Sequence, residues 1–530
     1  MAPLSPIISS FYETPQSHYW LVTQEPMLCC TILMISSRYH ILPGAGGTSR
    51  GYFIHTRLWQ HCQHLILRIT LGQEKTSKAK TRHLSSIEAL LLILEWYPRA
   101  LHFPPETDGW DSDLALLAPD WRDPPVTDDD LPMSNRWKED VVEPTKRSDR
   151  MSWMLVSNAL ALAHELGVFG QGVQTLKADS VAASSETDAY VELLDSRRRR
   201  LPLLLFVLVN LIAARIGCPS LLPATPGVSS MVGEDRDWVC FMTSWVELTR
   251  ITKEITEQYF PPLRNDERSQ RWNTTASLGK WRTVLSKWLT KGSLIDRPFD
   301  DILYIETEYL RVFINSIEMQ SFVEENVPQS DLPSQANTVE AKDCLFLTEV
   351  VEGSCAILDH IVLRSTEQAI RYLPNRIFLR VISCSIFLLK ALSLGTRAAA
   401  LRDALNLLDK AIDTIQSDCP DDIHLVSRYA ALLQIHVSRV RQTFSMSGNN
   451  IPNMQSQEEQ REEDPGGELP QATDSWDQDM GLPDSIFSDD WLSLPLDPLM
   501  APFGAWDETG QLDGLDSAYL DLDFIWNLPP

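Results

Sequence analysis

The chain has 530 residues, is 44% hydrophobic and carries a formal charge of −26. That apolar content suits a large core, and the length suits roughly two or three average domains. The acidic balance excludes tight phosphate-backbone binding by these residues alone, because that affinity comes from clustered Lys and Arg.

The charge is unevenly placed. Residues 451–530 hold 19 Asp and Glu against one basic residue, Arg461, for a local charge of −18, and the preceding 450 residues carry only −8. Nine cysteines are scattered, mostly through apolar runs, which is how thiols are used in a reducing compartment. No C-x-x-C pair occurs, so no cysteine-rich zinc site is expected within this stretch. The opening MAPLSPIISSFYETPQ lacks the basic and apolar blocks of a signal peptide.

Residues 17–68 read as helices around the loop ILPGAGGTSRG. This loop is glycine-rich, but it lacks the Gly-Lys-Ser/Thr ending of a phosphate loop and is expected to be a turn. The basic segment GQEKTSKAKTRH follows, and a nuclear-import or nucleic-acid patch competes there with an ordinary solvated loop. Ser85 and Glu88 have capping-box spacing at the start of the helix IEALLLILEWY, which Pro98 helps to end. The proline- and aspartate-rich stretch from His102 to Pro132 reads as a long surface connection. Its carboxylates lack calcium-loop order, and no partner groups identify a reaction for an acid/base pair drawn from Asp108, Asp111 and Asp113.

The segment RSDRMSWMLVSNALALAHELG, from Arg147 to Gly167, predicts a buried helix capped by Ser148 or Asp149 and stopped by Gly167. It is apolar on most faces (Met151, Leu155, Ala159, Leu162 and Leu166 at helical spacing, with Val156, Leu160 and Ala163 beside them), which places it inside a larger helical body. His164-Glu165 lacks the second histidine of a metalloprotease motif, since residue 168 is Val168. Gly172–Ala189 reads as a loop. Arg197, Arg198, Arg199 and Arg200 then precede an apolar helix, where a nuclear-import signal and an exposed helix start are both open readings.

The runs Leu201–Ala214 and Ile377–Leu394 fall short of a membrane span, which needs about 20 apolar residues without charges. Residues 235–323 are expected to be helical, with Trp238, Trp245, Trp272, Trp281 and Trp288 in helix contacts. Val327–Thr338 reads as a linker, and Leu345–Leu373 resumes the helices. Leu401, Leu405, Leu408, Ile412 and Ile415 form one stripe and Val426, Tyr429, Leu433, Val437 and Val440 another, which predicts an αα-hairpin across Cys419-Pro420. No alternating strand pattern occurs, so the class is all-α: a large helical domain over residues 1–447 and a disordered acidic tail over 448–530.

In that tail Trp476, Phe487, Trp491, Leu522, Phe524, Ile525 and Trp526 are set among aspartates. Acids interleaved with bulky apolar residues are the pattern of a transcriptional activation segment, in which the acids keep the aromatics solvated until a coactivator or other part of the transcription machinery buries them.

Several long stretches carry a family resemblance. RSDRMSWMLVSNALALAHELGVF, EWYPRALHFPPETDGWDSD, NRWKEDVVEP, LCCTILMISSRYHILPGAGGTSRGYFIHTRLWQHCQ, GQEKTSKAKTR and RIFLRVISCSIFLLKALSLGTR resemble the regulatory middle homology domain of fungal zinc-cluster (Zn2Cys6) transcription factors, over residues 4–445. The resemblance implies a nuclear regulator of metabolic genes whose helical domain controls its activation tail, with no catalytic residue. It also implies a six-cysteine zinc cluster for DNA binding. These residues hold no such cluster, so the expectation is that DNA binding is either lost or supplied by a segment preceding Met1, which would carry the zinc, or by a partner; the partner expected is a DNA-binding zinc-cluster protein or a second copy of this chain. A helical enzyme or ligand-binding protein, with His102, Asp108 and Asp111 at a pocket, is the rival reading.

Overall fold

The computed structural model describes residues 4–74, 81–104, 143–170, 185–222, 234–259, 275–289, 295–326, 345–365, 370–394, 398–421 and 423–448. Among them are thirteen α-helices, several short 3-10 turns and no strand. The all-α expectation holds. None of these helices is long and apolar enough to cross a membrane.

Helix α1 (His18–Gln24) leads into α2 (Pro26–Tyr39), whose first position is the proline that a helix start tolerates. The expected turn separates α2 from α3 (Gly47–Thr70). Gly44 and Gly46 have φ of 90° and 67°, and a Cβ on Gly47 would lie 1.9 Å from the Leu42 carbonyl oxygen. The glycines of this loop therefore serve close backbone approach.

All twelve residues of α4 (Leu84–Glu95) are buried. It packs against α2, α5 (Glu143–Glu165), α6 (Ser185–Ile216) and α11 (Asn375–Ser393). Each fully buried Leu or Ile contributes about 1.5–3 kcal/mol. The expected capping box does not form: the His83 ring accepts from the Ser85 N–H, Ser86 Oγ donates to the Thr81 carbonyl, and Glu88 turns inward.

Helix α5 starts at Glu143, earlier than the cap expected at Ser148 or Asp149. Both side chains are used inside the helix. Ser148 Oγ donates to the Thr145 carbonyl at 2.7 Å, and Asp149 pairs with Arg215 of α6 at 2.6 Å. The expected stop is where it was placed: Gly167 has φ 66°, and the Val168 N–H donates to the Ala163 carbonyl at 2.9 Å. Val156, Ala159 and Ala163 are fully buried, which lets neighbouring backbones come close.

Helix α6 begins at Ser185, so the predicted loop ends sooner than Ala189. Leu203–Val209 is a continuous buried run. The chain then forms α7 (Arg236–Tyr259), α8 (Thr275–Leu289), α9 (Phe299–Asn326) and α10 (Leu345–Arg364). Helices α9 and α10 approach so closely that a Cβ on Gly353 would lie 2.8 Å from Val312 Cγ2. After α11 come α12 (Ala398–Ser417) and α13 (Leu425–Gly448), the predicted αα-hairpin, with both apolar stripes buried. One apolar cluster runs through all of this, from Leu4 to Val440.

The hairpin turn is joined to the start of the chain. Arg38 of α2 donates from Nε and Nη2 to the two oxygens of Asp421, at 2.8 and 3.0 Å, and from Nη1 to the Tyr97 carbonyl at 2.7 Å. Burial opposes ionisation of Asp421, but the paired guanidinium outweighs it and holds the carboxyl below its usual range. Next to this pair, His55 receives the Arg99 N–H on Nε2 at 3.0 Å while Nδ1 lies 2.8 Å from the Met34 carbonyl. Both ring nitrogens are therefore committed to the neutral tautomer, and burial pushes its pKa down to about 4.

Removing one member of the Arg38–Asp421 pair, as in Asp421→Ala, is expected to lower unfolding free energy by about 3–5 kcal/mol, with Arg38→Met/Asp421→Leu recovering much of the loss. Urea titrations check this, and equal losses in the single and double variants would contradict it. His55 has its own signature. Its folded pKa is depressed, so its contribution is present above pH 6.5 and is lost as pH falls through about 4. That loss is on the order of 3 kcal/mol. The difference in stability between the native chain and His55→Gln should shrink by that amount from pH 6.5 to 4, and a constant difference would rule the account out.

Candidate functional site

The four-arginine run lies inside α6, not at its start. Consecutive residues of a helix point about 100° apart, so the four side chains leave in four directions. Arg197 points inward and is 1% exposed. Its Nη1 and Nη2 donate to the two oxygens of Glu25 at 2.5 and 3.1 Å, its Nε pairs with Glu88 at 2.9 Å, and Nη2 also donates to the Tyr12 hydroxyl at 2.9 Å. Tyr12 and Tyr190 in turn donate to Glu25, at 2.5 and 2.9 Å. Arg199 donates to Glu234 at 2.9 Å, and Arg200 donates to the Pro6 carbonyl at 3.0 Å while its guanidinium sits 4.2 Å over the Trp238 ring. Arg198 is half-buried. The folded chain thus does not present four arginines to an import carrier, because a single helix cannot aim consecutive residues at one surface and the core holds Arg197. Nor are they an exposed helix start.

Glu25 has four donors, and Glu88 has one nitrogen of the shared guanidinium. Burial accordingly pushes the Glu88 carboxyl up to about 7, with the Arg197 charge offsetting only part of that shift. At the other end of α4, Glu95 pairs with Arg376 at 2.8 Å, and Arg376 and Arg380 both reach Glu306, at 3.1 and 3.3 Å. The two guanidinium groups lie over the Trp245 and Tyr309 rings, at 4.4 and 4.0 Å. Sequence reasoning missed both networks. The available signal was Glu88 and Glu95, seven residues apart on one helix face and bracketing the run ALLLIL.

Of the three residues of the rival pocket, only His102 is among the described ones. His102 is held neutral by burial and the nearby Arg38 charge, at about 3, and Asp108 and Asp111 lie outside the described residues. His164 packs against Phe169 and Glu165 pairs with Arg82. The indole N–H groups of Trp238, Trp281 and Trp288 donate to the Pro6 carbonyl, Gln258 and Glu247. They are helix contacts. Among the described residues no three His, Cys, Asp or Glu side chains group to hold a metal ion. The tail residues Trp476, Phe487, Trp491, Leu522, Phe524, Ile525 and Trp526 also lie outside the described residues.

What the described residues present is a helical body whose charged groups are spent on its own cohesion. Over its whole length the chain is 41% identical to a protein named transcription factor hmgR from Aspergillus fumigatus, across 564 aligned residues that cover 74% of that protein. This chain belongs to that family of fungal transcription factors. No protein-family model matches it. No solved structure matches it either.

The arginine geometry is testable by stability. Arg197→Ala leaves Glu25 and Glu88 buried without their cation and is expected to cost about 3–5 kcal/mol. Arg198→Ala should stay within about 0.5 kcal/mol of the parent. Equal unfolding midpoints for the two variants would show that the buried network does not hold α6.

Proposed function

We propose that this chain is a nuclear regulator of fungal metabolic genes in which the helical body, residues 1–447, restrains an acidic activation tail, residues 448–530. The observation that carries the reading is the match to a transcription factor along the whole chain, taken with the tail's own composition. In this reading the body is the regulatory domain of the zinc-cluster class. Contact with DNA comes from a zinc cluster on a partner or outside these 530 residues, since the nine cysteines here are dispersed. No residue has a catalytic role. Trp476, Phe487, Trp491, Leu522, Phe524, Ile525 and Trp526 are the residues that a coactivator buries.

The mechanism follows from magnitudes. Burying a Trp or Phe in a partner groove is worth a few kcal/mol, whereas one exposed carboxylate among many contributes under about 1 kcal/mol. The aspartates supply solubility and steering, and the aromatic side chains supply affinity.

Residues 470–530 fused to an unrelated DNA-binding domain should activate a reporter. Trp491→Ala and Phe524→Ala/Trp526→Ala should each reduce activation by roughly tenfold, which corresponds to about 1.4 kcal/mol, and Asp521→Asn should change it little. A silent parental fusion would remove the activation reading. Equal losses in all three variants would remove the aromatic mechanism.

A further inference from the structure

The α2–α3 hairpin departs from the rest of this acidic chain. From Pro26 to Gln73 the sequence contains no Asp or Glu, and α3 alone carries Arg50, Arg57 and Arg68 with His55, His61 and His64. Arg50 donates to the Pro43 carbonyl, Arg57 to Gln60 and Arg68 to the Gln73 carbonyl, so among the described residues none of the three meets a carboxylate.

The inner face of α3 is buried through Gly51, His55, Trp59, Cys62, Leu65 and Ile69. Among the described residues nothing covers its outer face. Phe53, Arg57, Gln60, His64, Leu67 and Leu71 follow one another by four and three residues, which aligns them in a single stripe. From Phe53 to Leu71 that stripe is about 27 Å long. Phe53 is 68% exposed, Leu67 55% and Leu71 60%, with Ile54 beside them at 40%. Apolar side chains stand at both ends of the stripe, and cationic or titratable ones stand between them.

We propose that this outer face of α3 is the docking surface for the chain's own acidic, aromatic tail, residues 470–530. This rests on the reading of the tail as a segment that exposes aromatics among acids, and it assigns the surface that restrains it. Charge selects the occupant. A second copy of α3 would bring only further arginine and histidine against this face, with no counter-charge. Residues 451–530 bring 19 acids against one base, together with the aromatics that the exposed Phe53 and Leu67 can cover. Residues 449–470 give the tail a tether that spans up to about 70 Å when extended. A tail held here has its aromatic residues occupied and is withheld from a coactivator, so docking and activation compete for the same side chains.

The test uses the full chain with the photo-crosslinking amino acid p-benzoylphenylalanine in place of Gln60, and in place of the exposed Gln434 on α13 as a control. Irradiation of Gln60→p-benzoylphenylalanine is expected to join α3 to residues 470–530 of the same molecule, at a yield at least about tenfold above the control, because docking raises the local concentration of the tail. Mixing isotopically heavy and light chains separates links within one molecule from links between two. Arg57→Glu/Leu67→Ser, both at exposed positions, should return the yield to the control level with an unchanged melting curve, as should high salt.

Links from Gln60 mainly to a second chain would make a second copy the occupant and overturn the proposal. Equal yields from the two positions, or no link into 470–530, would do the same. If Arg57→Glu/Leu67→Ser fails to fold, the yield in the otherwise unaltered chain still decides. The reporter fusion is read separately, so a tail that activates but does not crosslink defeats only the docking surface.

Discussion

Burying α4 on every side obliges the fold to supply a cation at each end of it. Glu88 and Glu95 sit on one face of that helix, and each meets an arginine from a different neighbour, Arg197 of α6 and Arg376 of α11. Each arginine is then shared with another carboxylate, Glu25 or Glu306. Such networks add little net stability compared with apolar packing, but removing one member strands a charge in the core. What they contribute here is register. A slide of α6 or α11 by one turn would leave their guanidinium groups facing apolar side chains, so the ionic contacts limit the ways in which a largely leucine-lined interior can assemble.

Arg38 and Asp421 extend the same logic across the chain. They join α2 to the turn between α12 and α13, and they are nearly without solvent contact. The histidines around them are neutral chiefly because burial disfavours the imidazolium, with the Arg38 charge adding to it; His424, fully buried, is held well below its ordinary pKa. The interior therefore holds Arg38 and Arg197 in fixed positions. This separates two kinds of charge: the internal kind organises helices, and the external kind is left for partners.

That separation bears on function. Among the described residues no three His, Cys, Asp or Glu side chains group to hold a metal ion, while the family assignment rests on likeness along the whole chain. Helix α3 carries no carboxylate, and the tail carries almost no bases. In the mechanism proposed above, a shift in where the tail is held would change which partner its aromatics meet.

The sequence by itself determined the helices, their glycine stops and the character of the tail. Gly167 ends α5 because a left-handed residue there costs least in glycine, the glycine loop turns for the same local reason, and the stripes of α12 and α13 are legible because each helix has one buried face. Local rules of periodicity and backbone freedom suffice for such features. Tertiary structure decided which partner each polar side chain takes. Ser85 and Glu88 have the spacing of a capping box, yet Glu88 serves Arg197; Asp149 has the look of a cap, yet it serves Arg215; four consecutive arginines have the look of an address, yet one of them is the centre of a core network. The local pattern is the same in either outcome. The choice depends on which helix arrives opposite, because a carboxylate carried into the core must meet a guanidinium or be stranded there, a penalty that a solvent-exposed cap does not face.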